Sequence, residues 1–370
     1  MLNIKYASSS LSPSGYGQAA RQFITALFVA GINVTTESIT QTAEKADYGI
    51  TGVINACLEN RSIDYQTVLI HLTSDLYPNY SEDGKYNIGH LFWECDRLPK
   101  EWVTPCNQMQ EIWCGSEKQA EMIRNSGVTT PCFAFPQPID TTIAYENIQP
   151  FKLNKPKDFT FYSLFQWIPR KNPKGLLQEY WKEFEGNDQV TLLIKTYRIT
   201  YLDKEYQLIR NDIETWRKEL NLKHYPKIYL SHSVLSDKEV LRFHQTGDVF
   251  VNPSSGEGWN RPMQEAMLLG KPVISGNNGG ITDVMDATYY HKVDSKKVPI
   301  TQSSEIPWYQ NGMHWWELDE KSLRFTMRNV YNMRNKKDTK ALLAQKYIID
   351  NFNYRKIGEQ IKERLQQING

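Results

Sequence analysis

Residues 249–275 read VFVNPSSGEGWNRPMQEAMLLGKPVIS. The first four, Val249 to Asn252, suit a strand buried on both faces. A Pro/Ser/Gly loop follows, and a helix begins near Asn260–Pro262, with Pro262 in the first turn, where a missing N–H costs nothing. Gly256 and Gly258 let the backbone approach a ligand closely. The helix N-terminus then offers unpaired N–H groups and the positive end of a dipole, an environment suited to an anion. Glu257 in the loop and Glu265 one turn inside the helix stand eight positions apart. A carboxylate accepts two hydrogen bonds well from a sugar or ribose diol. Two isolated glutamates would read as solvated surface charge. Here the loop, the glycines, the proline and the small-residue helix (Ala266, Met267, Gly270) agree on a ligand site.

Outward from this segment, short apolar runs alternate with helical patterns, the signature of parallel sheets with crossover helices. In the first half, strands are predicted at Leu2–Tyr6, Ile32–Glu37, Thr67–Leu72, Tyr86–Trp93 and Glu111–Cys114, with a helix over Gly17–Ala30. Pro136, Pro138, Pro150 and Pro156 mark a linker. The second half has predicted strands at Phe159–Phe165, Val190–Lys195, Lys227–Leu230, Asp248–Asn252 and Pro272–Ser275. Its helices are predicted at Asn172–Phe184, Tyr201–Leu220 and Lys238–Gln245, and Lys340–Gln367 is strongly helical. The expected architecture is α/β: two Rossmann-like, doubly wound domains, 1–150 and 151–349, facing a cleft, with a final helix over 350–370 able to return to the first.

The chain has 370 residues, with 43 Lys plus Arg against 42 Asp plus Glu and a net charge of +1. This balance excludes a globally basic nucleic-acid binder and an acidic disordered tail. Aromatics reach 12%, which suits core, interfaces and stacking on sugars or bases. Cys57, Cys95, Cys106, Cys114 and Cys132 are odd in number and form no C-x-x-C, so free thiols in a reducing, cytoplasmic setting are expected. No signal peptide or membrane span is read. The helix Gly17–Ala30 has Arg21 as its one charge, so stable membrane attachment is not expected. No D-x-D, H-E-x-x-H, G-x-S-x-G or Walker A sequence occurs, and no metal ligand set is assigned.

The central segment resembles the E-x7-E signature of the retaining glycosyltransferase family 4 (glycosyl transferases group 1, GT-B fold). The shared residues are Pro253, Ser254, Glu257, Gly258, Glu265, Ala266, Met267, Gly270, Pro272, Val273 and Ile274. Trp259 replaces the family's Phe, and Asn260 replaces its second Gly, which is expected to tighten the backbone. SGYGQAAR (Ser14–Arg21) resembles the acceptor-side glycine-rich loop. WCGSEKQAEMIRNSGV (Trp113–Val128), FQWIPRKNPKGLL (Phe165–Leu177) and NNGGITDVMD (Asn277–Asp286) resemble further family segments, with Asp283 where Glu is usual. The resemblance runs from about residue 10 to about residue 290.

The resemblance implies a nucleotide-diphosphate sugar as co-substrate, no bound cofactor, and retaining transfer to an acceptor hydroxyl. Glu257 would contact the donor sugar and Glu265 the ribose. Backbone around Gly258, Trp259 and Asn260, and around Gly279 and Gly280, would meet developing phosphate charge. The family's first basic position is Gln166 here, which is uncharged, while Lys171 fits the second. A diphosphate carries about two charges, so Arg170 or Lys195 is expected to supply the other cation. His232 would border the base. On the acceptor side stand Gly15, Tyr16 and Gly17. His71, His90 and Glu94 compete to face the donor sugar, with Asp75 beside His71. The aromatic segment Ile306–Trp316 reads first as a domain contact and a helix staple, second as a cleft wall. Two other functions remain open: a catalytically silent GT-B module that binds glycans or a partner, and a transferase acting on a modified nucleic-acid base.

Overall fold

The computed structural model describes residues 2–12, 14–39, 62–153, 159–186, 189–301 and 306–369; Cys57 and Pro156 lie outside them. The first sheet contains β1 (Asn3–Ser8), β2 (Asn33–Ser38), β3 (Thr67–His71), β4 (Tyr86–His90), β5 (Glu111–Cys114) and β6 (Cys132–Ala134). Every pair is parallel, and the order is β2-β1-β3-β4-β5-β6. The residues of β3 and β5 are all buried, and their apolar runs Val68–Ile70 and Ile112–Cys114 suit strands covered on both faces. Helix α1 (Gly15–Val29) follows β1 and is capped by the Ser14 hydroxyl. Helices α2 (Lys100–Asn107) and α3 (Glu117–Asn125) flank β5.

The second sheet is built from β7 (Phe159–Gln166), β8 (Val190–Tyr197), β9 (Lys227–Ser231), β10 (Val249–Asn252), β11 (Val273–Ser275) and β12 (His291–Lys292), in the parallel order β12-β11-β10-β7-β8-β9. Its helices are α4 (Pro173–Phe184), α5 (Asp203–Leu220), α6 (Asp237–Thr246) and α7 (Arg261–Leu268). Strand order reverses between β1 and β3 in the first sheet and between β7 and β10 in the second. Ligands bind at the carboxyl ends of such switch points, and the β10–α7 loop with both glutamates sits at the second.

An antiparallel hairpin, β13 (Ser295–Pro299) with β14 (His314–Leu318), is absent from the sequence reading. Its connecting segment crosses to the first domain, where Ile300, Tyr309, Met313 and Trp315 join one core with Trp93, Leu98 and Trp102. Helix α8 (Glu320–Asn332) follows, capped by Asp319. The predicted helix over 340–367 is two helices, α9 (Thr339–Asn351) and α10 (Tyr354–Asn369), broken at Phe352–Asn353. Helix α10 packs on α1 so closely that a Cβ at Gly358 would lie 2.2 Å from the Ala26 carbonyl. Arg364 pairs there with the buried Glu111. One apolar cluster runs through both domains, joining Phe92 and Trp113 to Trp259 and Ile281. Among the described residues no helix is long and apolar enough to cross a membrane.

Candidate active site

Strand β10 ends at Asn252, whose side-chain amide donates to the Ser275 hydroxyl on β11 at 3.0 Å. The loop then carries Glu257 into the cleft. Its carboxylate is buried and accepts from Lys171 Nζ at 2.6 Å, with Arg170 3.8 Å away. Burial pushes the carboxyl up, but the Lys171 and Arg170 charges outweigh it and hold Glu257 below the usual carboxylate range. Lys171 and Arg170 reach it from the short 3-10 turn after β7.

Arg170 joins the two domains. Its guanidinium donates to Tyr309 Oη at 2.7 Å and to the Gly256 carbonyl, and it pairs with Glu94 of the first domain at 3.1 Å. Tyr309 Oη in turn donates to Glu94 at 2.6 Å. Glu94, Tyr309, Arg170, Glu257 and Lys171 therefore form one continuous polar chain across the cleft.

Glu265 sits in a different environment. Arg261, one turn earlier on α7, donates to one oxygen, and His244 Nε2 lies 3.3 Å from the other. Burial opposes ionisation here too, but Arg261 and His244 bring the pKa down to about 2. The two carboxylates of the motif therefore serve different partners.

Asn260 corrects an expectation. It adopts φ +72° and caps α7 by accepting from the Met263 N–H at 3.2 Å. Asn tolerates the left-handed region, so it reproduces a glycine backbone instead of tightening it. Trp259, whose backbone was expected to meet phosphate charge, turns its side chain into the domain contact. Its ring is buried against Phe92 and Phe352, and its Nε1 donates to Gln264 at 3.0 Å. The Gly258 carbonyl accepts from Gln119 of the first domain.

Gly279 and Gly280 both have positive φ and stack backbone to backbone on this loop. A Cβ at Gly280 would come within 2.6 Å of the Trp259 carbonyl oxygen, and the Glu257 N–H donates to the Asn278 carbonyl at 3.0 Å. Asp283, in the same segment, accepts from the Ser116 hydroxyl at 3.1 Å and pairs with Lys118.

The remaining candidates fall elsewhere. Gln166 donates to the Arg198 carbonyl at 2.7 Å and so anchors the loop after β8. Lys195 is buried among rings, donating to Tyr201 Oη at 2.6 Å and lying 5.0 Å from the Tyr197 ring. Burial lowers its pKa to about 8. It stands apart from the Glu257 cluster, and Arg170 is the second cation beside Lys171. His232 is half-buried against Tyr201 and Tyr206.

In the first domain Tyr16 Oη donates to the Phe92 carbonyl at 2.9 Å. Gly17 is required by its own loop, because a Cβ would lie 2.2 Å from the Ser12 carbonyl oxygen, whereas Gly15 faces open space. Asp75 is half-buried in a short 3-10 turn. His71 and His90 end adjacent strands in register and stack on each other at 4.3 Å, with no solvent exposure. Burial brings the His71 pKa down to about 3 and holds His90 well below its ordinary value. The structure thus places both imidazoles inside the domain and leaves Glu94, of the three, on the cleft. Tyr309 and Trp316 belong to the aromatic segment expected as a domain contact or a cleft wall: Tyr309 packs in a core with first-domain residues, and Trp316 lines the cleft.

A cavity of about 390 Å3 lies between the domains, lined by Glu94 and Asp96 from the first and by Glu257, Asn278, Asp283 and Trp316 from the second. Two parallel sheets meeting at their switch points, with the E-x7-E loop between them, define one architecture.

The chain has the GT-B fold. Residues 159–297 match the family described as Glycosyl transferases group 1. O-antigen chain mannosyltransferase B of Escherichia coli is 31% identical over 119 residues, 32% of this chain and 28% of that protein, so the match spans under a third of that relative's length. Sucrose-phosphate synthase from Thermosynechococcus elongatus superposes with a TM-score of 0.70 at 14% identity, covering 100% of this chain and 99% of that one. An Escherichia coli trehalose-6-phosphate structure bound with UDP-2-fluoro glucose gives a TM-score of 0.66 at 11% identity, with 99% of each chain covered. The group 1 match begins at β7, ends within β13 and includes the β10–α7 loop.

Proposed function

We propose that the protein is a retaining glycosyltransferase that moves a sugar from a nucleotide-diphosphate donor to an acceptor hydroxyl. The observation that carries this reading is the buried Glu257–Lys171–Arg170 cluster at the sheet switch point. It is supported by the group 1 match over the same residues and by the mannosyltransferase relative.

In this reading Lys171 and Arg170 meet the donor diphosphate, and Glu257 takes donor-sugar hydroxyls on the oxygen that Lys171 leaves open. Charge grows on the leaving phosphate as the anomeric bond breaks, and the two cations are placed to meet it without reorganisation. The departing phosphate accepts the proton of the acceptor hydroxyl that attacks the same face.

The test is hydrolysis without acceptor, using purified protein and UDP-, GDP-, ADP- and dTDP-sugars, with nucleotide release as the signal. Release from one donor, lost in Glu257→Ala, is expected. Silence with every donor, together with no nucleotide-induced rise in Tm, refutes the transferase. The neutral Gln166 favours the second reading, a silent glycan-binding GT-B module, and that pair of negative results would support it.

A further inference from the structure

We propose that Tyr309 is a positioning residue: its hydroxyl sets the Arg170 guanidinium where it meets the donor diphosphate, and the β13–β14 hairpin is the strap that delivers it. This rests on the glycosyltransferase reading.

The strap is held by both domains. In a two-stranded hairpin each strand has an outer edge whose N–H and C=O groups need other partners. On β14 those partners come from opposite sides of the cleft. The His314 N–H donates to the Asp96 carboxylate at 2.7 Å, and the His314 carbonyl accepts from the Asp96 N–H at 3.1 Å, which ties the strand to the first domain. The backbone N–H of Trp316 donates to the Ser255 carbonyl at 2.7 Å, which ties the same strand to the loop that carries Glu257. The Ser255 N–H in turn donates to the Arg170 carbonyl at 2.7 Å. Segment Ile306–Met313, which leads into β14, is anchored as well. Gln310 donates to Glu101 at 2.6 Å, and the Trp308 ring packs on that of Trp102 with centroids 5.4 Å apart.

Tyr309 stands between these anchors. Its ring lies 5.6 Å from that of Trp93 and 5.9 Å from that of Trp315, and the residue is 7% exposed. A phenol has one proton to donate and lone pairs that accept, whereas a carboxylate only accepts. The Tyr309 proton therefore goes to Glu94, and its oxygen accepts from Arg170 Nε. Burial pushes the phenol's pKa up, so the hydroxyl keeps that proton. The guanidinium is then held at three points: Nε by Tyr309, Nη1 by the Gly256 carbonyl and Nη2 by Glu94 at 3.1 Å. A guanidinium has five N–H groups, so Nη1 and Nη2 each keep one for phosphate oxygens. A planar fork fixed in this way is aligned before charge develops on the leaving phosphate. Without the hydroxyl the Nε corner is loose, and that alignment is lost.

The experiment is steady-state donor hydrolysis on the full chain, with the donor selected from the nucleotide-sugar panel. The variants are Tyr309→Phe, Arg170→Lys, their combination and Gln310→Ala, with Tm read for each. Tyr309→Phe keeps the ring and its packing. It is expected to lower kcat about tenfold with donor KM within about twofold, the pattern of an interaction used in the transition state. Arg170→Lys keeps a cation but has no Nε for the hydroxyl to hold. In that background Tyr309→Phe should change kcat by under about twofold. Gln310→Ala weakens the strap's anchor without touching Arg170, and its kcat should stay within about twofold of wild type. An unchanged kcat in Tyr309→Phe overturns the positioning role and leaves the transferase. An equal loss in both backgrounds also overturns it, because the hydroxyl then acts without Arg170. A matching loss in Gln310→Ala overturns it as well, because a loosened strap alone then accounts for the effect. No hydrolysis of any donor by the wild-type chain overturns the transferase reading and this role together.

Discussion

Replacing Lys171 by Met should strand the Glu257 carboxylate. In the native chain that carboxylate is buried, with Lys171 at 2.6 Å and Arg170 at 3.8 Å. Removing the nearer cation leaves a buried charge with one distant partner, a change that costs about 3–5 kcal/mol. Glu257→Gln in the same protein removes the charge that needed a partner, so the double variant should recover part of the loss. A cycle of Lys171→Met, Glu257→Gln and their combination should give a coupling of about 2 kcal/mol, near the upper part of the range for residues in direct contact. Urea unfolding followed by far-ultraviolet circular dichroism reads it. The pH dependence has a definite sign. The folded pKa of Glu257 is depressed, so its stabilisation is present above the unfolded carboxylate value of about 4.3 and is lost as pH falls through the folded one. Lys171→Met removes that dependence. If the two single variants instead add to within ~0.5 kcal/mol in the double, the ion pair contributes nothing and the reasoning fails.

Four further outcomes are expected. Lys195 has a folded pKa of about 8 against about 10.4 unfolded, so the unfolded chain binds more protons between those values. Stability then rises by up to about 3 kcal/mol from pH 8 to 10.4, a rise that Lys195→Met flattens in melts across that range. His71 has a folded pKa of about 3 against about 6.5 unfolded. Its contribution is lost as pH falls below 6.5, by ~1.4 kcal/mol per unit, and unfolding at pH 5 compared between wild type and His71→Phe measures it. Gly280→Ala should destabilise by about 2 kcal/mol and abolish donor hydrolysis, because φ is +64° and its Cβ would strike the Trp259 backbone. Gly15→Ala, in open space at the helix start, should change Tm by under about 1 °C.

What the sequence disclosed was local. The strand–loop–helix from Val249 to Ser275 is legible because its elements are sequential, and its cap, glycines and proline act within a few residues. Asn260 was misread on the same scale, because a glycine position fixes φ and Asn can also meet that φ. The burial of the Trp259, His71 and His90 side chains was not legible for a different reason. Each lies beside a cleft in sequence, but the face it presents depends on docking with residues far along the chain, as Trp259 does with Phe92 and Phe352. The hairpin Ser295–Pro299 with His314–Leu318 was missed because its strands are short and their connection is long. Its consequence, the contact of Tyr309 with Glu94, joins residues 215 positions apart. Periodicity carries no such information.

The two glutamates of the motif look equivalent in sequence, and the structure makes them unequal. A carboxylate offers about four lone-pair sites. Lys171 occupies Oε1 of Glu257, while Arg170 lies 3.8 Å from Oε2, beyond hydrogen-bond distance, so that oxygen can accept from a ligand. Glu265 has Arg261 on one oxygen and His244 on the other, and its pKa near 2 reflects that saturation. In the proposed reading a ribose diol at Glu265 would displace or share Arg261, whereas a sugar hydroxyl at Glu257 would meet the oxygen that Lys171 leaves open. The loop glutamate is preorganised for its ligand, and the helix glutamate is preorganised for its own helix. In the proposed reading, discrimination between donors would reside in the Arg261–Glu265 pair, where a nucleotide would have to compete, and sugar would be met at Glu257. From Glu257 the polar chain runs through Arg170 and Tyr309 to Glu94 in the other domain.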